Sequence, residues 1–157
     1  ISGGTEHRKF LRQIFVSVDI TAPRYWWSEM DTYKIGTTAN SCSTMHKLKD
    51  YPITLNMFEV DAHFFGTVDM DYWNSTIDYL EGLRQTYNKT KDYTIFRLLK
   101  QALPESFLQK RTVTLNYEVV RTMYQQRKHH KLKEWSVDFV EWVNTLPYAK
   151  ELITYEG

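Results

Sequence analysis

A charged side chain stands at the end of an apolar helical stripe. Val120, Met123 and Arg127 recur at helical spacing, which predicts that the guanidinium of Arg127 points toward the core. A guanidinium in that position needs an anionic or a polar planar partner. The sequence leaves two alternatives open: Arg127 forms a buried ion pair, with Glu118 or another core-facing carboxylate, or it contacts a bound ligand.

The segment 36–46 could lie against such a ligand. It consists mainly of small and hydroxyl-bearing residues, among them Asn40, Ser43 and Thr44, and it holds few residues that form a core. Strongly patterned sequence lies on both sides of it. We therefore predict that this segment is a loop.

Other common catalytic and metal-binding patterns are missing from the sequence. His129 and His130 are adjacent, so on a helix they point about 100° apart and cannot share a metal as an i, i+4 pair can. Cys42 is the only cysteine, which excludes an internal disulfide and a zinc site built on thiolates. No glycine-rich phosphate loop and no hydrolase nucleophile motif is present. We predict no metal site.

The elements that must position these residues begin with a strand and an aromatic helix. Apolar residues from Phe10 to Val18 keep mostly to one parity, which predicts a strand with one buried face. Thr21 is the predicted N-cap of a helix with Pro23 in its first turn. This helix carries four residues at helical spacing: Trp26, Trp27, Met30 and Tyr33.

Further helices and a short strand follow. One helix carries Trp73, Ile77, Leu80 and Leu83 on one face, and a second runs from about Thr94 to Leu103 before Pro104. The β-branched stretch 112–115 favours a strand or helix lead-in ahead of the stripe that ends at Arg127. A last helix carries Trp135, Phe139, Trp142 and Val143. This order of elements predicts an α/β domain.

The composition predicts one folded domain over residues 1–157. Hydrophobic residues make up 42% and aromatic residues 15% of the chain, which excludes a disordered or low-complexity protein. A net charge of +1 provides no strong field for nucleic acid or an acidic membrane surface. No apolar run of about 18 residues is present. We expect a cytoplasmic protein that binds neither nucleic acid nor membrane. Because the chain starts at Ile1, we also expect that an N-terminal segment was removed or left out.

Four short segments share their order and spacing with one known family. Glu6-His7 resembles its Glu-His, and the segment 33–46 lies in register with its RHRxxSxNExSxRY motif, keeping Asn40 and Ser43. Leu99–Pro104 resembles Ala-Arg-x-x-Leu-Pro, and Leu115–Glu118 resembles Asn-x-Arg. Arg127 follows Asn116 by 11 residues, as the substrate-activating arginine of the family follows its asparagine. Over roughly residues 5 to 145 the chain resembles the flavin-dependent thymidylate synthases.

The resemblance implies a fold, a reaction and an assembly. The fold would be α/β (α+β), with a mixed or antiparallel sheet flanked by helices. The reaction would be the reductive methylation of carbon 5 of a uridine-type nucleotide, deoxyuridylate (dUMP), in nucleotide biosynthesis. It would use FAD, NADPH and methylene-tetrahydrofolate as the one-carbon donor. The assembly would be a homo-oligomer, namely a homotetramer, with sites shared between subunits.

The resemblance also implies roles for individual residues. Ser43 and Thr44 would hold the phosphate of the nucleotide, and Lys100 would supply charge from a neighbouring subunit. Arg127 would bind the O2/N3 edge of the pyrimidine and stabilise negative charge as it develops on the ring, which makes it the predicted catalytic residue. Four residues would contact the flavin: His7, Lys34, Asn40 and Asn116.

Several signature residues of the family are replaced in this chain. Tyr33 and Ile35 stand for two arginines, Ser41 for a glutamate, Met45-His46 for Arg-Tyr, and Glu118 for the arginine after Asn116. Each lost guanidinium removes a charge-assisted contact of about 1.5 to 3 kcal/mol. These replacements motivate an alternative function, that of a noncatalytic nucleotide-binding or oligomeric structural relative of the family.

Overall fold

The computed structural model describes residues 5–41 and 48–156. In this part of the chain one sheet is formed by β1 (Phe15–Pro23), β2 (Thr37–Ser41) and β3 (Leu108–Asn116). The order across the sheet is β1-β3-β2, so the last strand in the sequence lies in the centre. The sheet is antiparallel and is combined with helices, which confirms the predicted fold class.

The helices begin and end at residues whose chemistry suits those positions. The elements are α1 (Arg24–Met30), α2 (Thr67–Thr90), α3 (Tyr93–Ala102), α4 (Tyr117–Arg127), α5 (Val140–Asn144) and α6 (Ala149–Leu152). The Asp92 carboxylate accepts a hydrogen bond from the N–H of Thr94 at 2.9 Å and caps α3. Asn116 caps α4 in the same way by accepting from the N–H of Val119 at 3.0 Å. In addition, 3-10 helices span Thr5–Gln13, Leu55–Met57 and Ala62–Phe64, and a π-helix spans Glu134–Phe139.

The described residues form two compact units. Unit 1 contains the residues up to Ile20, Ser28–Asn40, and the residues from Arg111 onward. Its fully buried side chains come mainly from β3, α4 and the C-terminal helices: Leu11, Val113, Leu115, Val120, Met123, Trp135, Val143 and Ile153. The stripe predicted from Val120 and Met123 is therefore a core face of α4.

Unit 2 contains Thr21–Trp27 and the described part of Ser41–Lys110. Its core is one cluster of buried residues from α2, α3 and the segments beside them: Leu48, Ile53, Phe58, Leu80, Leu99, Leu103 and Phe107. Trp73, Ile77 and Leu83 of α2 pack against this cluster while partly exposed. The helices predicted around Leu80 and before Pro104 are thus both confirmed.

The predicted start of the first strand is wrong. Residues Thr5–Gln13 form a 3-10 helix in which Leu11 is buried, whereas Phe10 is 42% exposed. A helical turn explains why Arg12 broke the strand parity, since Leu11 and not Phe10 faces the core. From Phe15 onward the strand is as expected, and Val16 and Val18 lie on its less exposed face.

Strand β1 also continues further than predicted, and α1 begins at Arg24 instead of just after Thr21. The N–H of Arg24 donates to the carbonyl of Phe107 at 3.1 Å, and that of Tyr25 donates to Glu105 at 3.2 Å. Arg24 and Tyr25 open α1, so their N–H groups have no partner within the helix, and these bonds to a distant segment of the chain satisfy them. Trp26, Trp27 and Met30 are buried, as the aromatic stripe predicted.

The predicted loop 36–46 is wrong over residues 37–41, which form β2. An edge strand gains its hydrogen bonds from the neighbouring strand and needs no buried face, so polar residues can form it. Thr37 and Thr38 are β-branched and suit an extended backbone. Residues 42–46 lie outside the described part of the chain.

Candidate functional site

Arg127, the last residue of α4, lies within a group of polar and aromatic side chains in unit 1. Its Nη1 donates to Oε2 of Glu29 at 3.1 Å, and its Nε donates to the hydroxyl of Tyr33 at 3.0 Å. The guanidinium carbon lies 4.9 Å from the ring centroid of Trp135. The Arg127 side chain is only 18% exposed. We call these four residues, together with His130, the Arg127 site.

Glu29 holds the Arg127 site together. Besides Arg127, its Oε2 accepts a hydrogen bond from the indole N–H of Trp135 at 2.7 Å and lies 3.4 Å from Nε2 of His130. Sequence reasoning did not single out Glu29, although a signal existed. It lies three residues after Trp26 and one before Met30, so a carboxylate interrupts the aromatic face of α1.

The partner suggested for Arg127 on sequence, Glu118, is wrong. Glu118 lies in the first turn of α4 and accepts hydrogen bonds from Nε and Nη2 of Arg12, the latter at 3.3 Å. The α4 helix carries Glu118 and Arg127 in its first and last turns, about nine residues apart, which is some 13 Å along the axis. The ion pair of Arg127 is made with Glu29 instead.

The geometry of the Arg127 site leaves one amino group of the guanidinium for a further contact. In residues 5–41 and 48–156, Nη2 of Arg127 has no hydrogen-bond acceptor. Glu29 and Tyr33 fix the other two nitrogens, and the Trp135 ring supports the plane of the group. A guanidinium held in this way can donate to a carbonyl or anion without first losing side-chain freedom.

A cavity of about 270 Å³ lies on the neighbouring surface of α4 in unit 1. The 3-10 helix contributes Arg8 and Leu11, and α4 contributes the remaining lining residues, Glu118, Arg121, Thr122, Gln125 and Gln126. Gln126 connects this α4 cavity to the Arg127 site, because its Oε1 accepts a hydrogen bond from the hydroxyl of Tyr33 at 2.8 Å. The cavity and the Arg127 site therefore adjoin along one helix.

The α4 cavity has an excess of positive charge. Arg8 forms no ion pair with the described residues, and the carboxylate of Glu118 is already neutralised by Arg12. Arg121 donates from Nη1 to the carbonyl of Ile153 at 2.8 Å and stacks on the ring of Tyr155. Burial lowers the pKa of Arg121, Tyr155 opposes this, and the nearby charge of Arg8 lowers it further. Two guanidiniums beside one cavity favour an anionic occupant.

A short segment of chain links the two ends of α4. Tyr33 contacts the last turn of the helix, while Gly36 packs on its first turn against Asn116 and Val119. Lys34 and Ile35 lie between these contacts and are exposed, Ile35 by 90%. Lys34, a predicted flavin contact, thus lies in the segment that links the two ends of α4, and Asn116, another predicted flavin contact, caps the first turn of that helix.

The other two predicted flavin contacts, His7 and Asn40, do not lie on α4. His7 is exposed on the 3-10 helix beside Arg8, and Asn40 is exposed on β2. The side-chain oxygen of Asn116 is engaged as the cap of α4, which leaves its amide N–H₂ as the group that could meet a ligand.

Lys100 lies in unit 2, in the last turn of α3. It is half-buried and near Arg24, and burial lowers its pKa, with the positive charge of Arg24 acting in the same direction. Arg24 itself lies 3.3 Å from the carboxylate of Glu105. Lys100 forms no ion pair with any described residue, so an anion near Lys100 would relieve the repulsion between the two cations.

Ser43 and Thr44, the predicted phosphate contacts, lie outside the described residues. Across the described ranges no three His, Cys, Asp or Glu side chains are grouped so that they could hold a metal ion. None of the helices in those ranges has both the length and the apolar character needed to cross a membrane.

Comparison with known proteins gives a likeness of fold. No protein-family model matches the sequence, and no curated protein sequence matches it significantly. Among solved structures, thymidylate synthase X from Helicobacter pylori, crystallised with FAD and dUMP, matches with a TM-score of 0.63 and 18% identity over 98% of this chain and 84% of that one. A second structure of the flavin-dependent enzyme from Helicobacter pylori, also with FAD and dUMP, matches with the same score and identity over 97% and 84%. The chain has the fold of the flavin-dependent thymidylate synthases.

Proposed function

We propose that this protein is a divergent flavin-dependent enzyme that methylates carbon 5 of dUMP. The observation that carries the proposal is the likeness of fold, which extends over 98% of the chain to a structure that holds FAD and dUMP. NADPH would be the reductant and methylene-tetrahydrofolate the one-carbon donor. The active assembly would be a homotetramer.

Arg127 is the residue on which the proposed chemistry depends. Its Nη2 amino group would donate to the O2/N3 edge of the pyrimidine, while Glu29 and Tyr33 keep the guanidinium in place. As carbon 5 becomes nucleophilic, negative charge accumulates on the ring oxygens, and a fixed cation stabilises that charge. Such activation needs no cysteine nucleophile, and the single Cys42 belongs to no catalytic pattern in the sequence.

The phosphate of dUMP would be held by Lys100 of a neighbouring subunit together with the hydroxyls of Ser43 and Thr44. The repulsion between Lys100 and Arg24 supports this role, because a phosphate dianion near both would be favoured. Lys100 lies near the cation of Arg24 and forms no ion pair of its own with the described residues. Its charge therefore raises the affinity for an anion.

The α4 cavity fits part of an anionic dinucleotide. Its two arginines suit a diphosphate, the amides of Gln125 and Gln126 suit ring carbonyls and nitrogens, and its volume accommodates one portion of FAD. His7, Lys34, Asn40 and Asn116 would provide further contacts around it. A bound flavin would supply the electrons for reduction of the transferred carbon. Arg8 and Arg121 would then replace, from other positions, family arginines that this chain lacks.

Calorimetric titration of the purified protein with dUMP, in the presence and absence of FAD, tests this function. The wild-type protein should bind dUMP, and Lys100→Ala should weaken that binding about 10- to 100-fold, because one charge-assisted phosphate contact is removed. Arg97→Ala is the matched control, since Arg97 is an exposed cation on the same helix. It should leave the affinity unchanged.

The visible spectrum of the same preparation tests the flavin directly. Protein incubated with FAD and then freed of unbound ligand should retain the yellow colour of oxidised flavin, and thymidylate should form when NADPH and methylene-tetrahydrofolate are added. A wild-type protein that binds neither dUMP nor FAD would end the enzymatic proposal.

A further inference from the structure

The carboxylate of Glu29 uses only one of its two oxygens within the Arg127 site. Oε2 accepts hydrogen bonds from Nη1 of Arg127 at 3.1 Å and from the indole N–H of Trp135 at 2.7 Å. Nε2 of His130 lies 3.4 Å from the same oxygen. Among the residues that the structure describes, no donor contacts Oε1 of Glu29. Glu29 therefore has an acceptor to offer to another molecule.

Three N–H groups fix the orientation of the Glu29 carboxylate. The backbone N–H of Leu132 donates to Nδ1 of His130 at 3.1 Å, so neutral His130 carries its proton on Nε2, which faces Glu29. Oε2 thus has an arginine, an indole and an imidazole N–H directed toward it. An atom surrounded by three donors must be an acceptor, and this requirement also fixes the position of Oε1.

A free donor is the neighbour of this free acceptor. Nη2 of Arg127 and Oε1 of Glu29 are each one carbon away from an atom of the 3.1 Å contact, and no hydrogen bond joins them to each other. In the described ranges neither atom is buried without a partner, so solvent reaches both. The ion pair also balances the charge of Arg127, which makes this position better suited to a neutral polar group than to an anion.

A donor next to an acceptor is complementary to the edge of a uracil ring. In uracil, O2 is an acceptor and the adjacent N3–H is a donor, whereas in cytosine O2 and N3 are both acceptors. Nη2 of Arg127 can donate to O2 of either base. Oε1 of Glu29 can accept only from the N3–H of uracil, and with cytosine it would face a second acceptor.

We propose that Glu29 selects uracil over cytosine, with its Oε1 accepting the N3–H while Nη2 of Arg127 donates to O2. The choice of dUMP as the nucleotide rests on the proposed function, whereas the choice of base edge rests on the hydrogen bonding of Glu29 and Arg127. An arginine that contacted both O2 and N3 without a carboxylate would favour cytosine, because only cytosine accepts at N3. The two assignments predict opposite preferences.

Calorimetric titration of the wild-type protein with dUMP and with deoxycytidylate (dCMP) tests the assignment. The protein should bind dUMP at least about tenfold more tightly than dCMP, because the wrong base leaves the Glu29 acceptor unpaired and places a second acceptor against it. Equal affinities, or a preference for dCMP, would overturn the proposal.

Glu29→Gln should reverse the preference. The three donors around Oε2 require an oxygen, so the glutamine amide turns its oxygen toward them and its N–H₂ takes the position of Oε1. That N–H₂ can donate to N3 of cytosine but opposes the N3–H of uracil. We expect dCMP to bind at least about tenfold more tightly than dUMP, a reversal that a loss of structure alone cannot produce. A Glu29→Gln protein that still prefers dUMP would overturn the proposal.

Two further variants complete the experiment. Glu29→Asp keeps two acceptor oxygens and should retain the preference for dUMP. Asp31→Asn is the matched control, because Asp31 is also a carboxylate paired with an arginine, at 2.8 Å from Nη1 of Arg111, but it contacts no member of the Arg127 site. This control should leave the ratio of the two affinities unchanged.

Thymidylate formation, measured separately, distinguishes this inference from the proposed function. A wild-type protein that forms thymidylate but binds dUMP and dCMP equally would refute the role of Glu29 alone. One that prefers dUMP but forms no thymidylate would refute the proposed reaction alone. A protein that binds neither nucleotide would refute both.

Discussion

Arg127 is bound to the protein on three sides, so it has a structural role whether or not it also binds a substrate. Its removal leaves Glu29 with the indole of Trp135 and with His130, but without its cation. We expect Arg127→Ala to lower the free energy of unfolding by about 2 kcal/mol. This value lies between those of exposed and fully buried pairs, because the two side chains are 18% and 33% exposed.

Urea denaturation of Arg127→Ala and Glu29→Gln measures this contribution. Glu29→Gln retains an oxygen that can accept from Trp135 but removes the charge, so it should be less destabilising. Should Arg127→Ala be as stable as the wild-type protein, the Glu29 contact would contribute nothing. A loss of dUMP affinity in that case would mean that ligand binding is the sole role of the arginine.

Among the connecting elements, the turn before β2 is the most constrained, because Gly36 has a φ of +75°. A Cβ at this position would lie 2.6 Å from Cγ2 of Val119 and 2.9 Å from Nδ2 of Asn116. Gly36→Ala should therefore destabilise the protein by about 1 to 3 kcal/mol through strain and overpacking.

Gly82→Ala should have the opposite effect on stability in the same urea denaturation experiment. Gly82 lies inside α2 with open space around it, and alanine stabilises a helix interior relative to glycine by about 1 kcal/mol. Gly82→Ala should be the more stable variant and Gly36→Ala the less stable one. Equal effects of the two substitutions would contradict the geometry of the turn.

The elements differ in how far the sequence predicts them. The boundaries of α3 follow from local chemistry, since Asp92 caps its start and Pro104 follows its end. Strand β2 is stabilised by pairing within the sheet, which leaves no apolar period in its own residues. For the π-helix Glu134–Phe139 the sequence predicts a helix but not its type, because Trp135 and Phe139 are four residues apart, a spacing that both helix types can bury.

The stability of the whole molecule in acid should depend on one carboxylate in unit 2. Glu81 accepts hydrogen bonds from Arg84 at 2.7 and 2.6 Å and from the N–H of Ile53 at 2.8 Å. These contacts, with the Arg84 hydrogen bond largest and burial opposing it, lower the pKa of Glu81 from 4.5 to about 2. The folded state is thus stabilised above the unfolded pKa, and this stabilisation is lost as the pH falls from about 4.5 to about 2.

Glu81→Gln removes this dependence. At pH 7 the variant should be less stable than the wild-type protein by about 1 to 3 kcal/mol, and the difference should vanish near pH 2. Asp71→Asn is the control, because Asp71 is an exposed carboxylate on the same helix. Thermal unfolding followed at several pH values would refute the assignment if Glu81→Gln and the control behaved alike.

At this scale the fold class was predictable and the site was not. Four segments in order sufficed to predict the fold, because a fold depends on many residues and tolerates 18% identity. The Arg127 site depends on one pair, and Glu29 is separated from Arg127 by 98 residues. Helical periodicity predicts that Arg127 points inward, but it carries no information on which distant carboxylate meets it.

The environment of Trp135 makes this indole an optical reporter. It is fully buried, it donates its N–H to Glu29, and a guanidinium lies over its ring. The electric field across an indole shifts its fluorescence emission, and both charges that set this field belong to the Arg127 site. Replacing the other four tryptophans, Trp26, Trp27, Trp73 and Trp142, by phenylalanine would leave Trp135 as the only emitter. Its emission maximum would then shift when an anion or a pyrimidine contacts Arg127. The site thus has a built-in signal that can be followed in real time without a label.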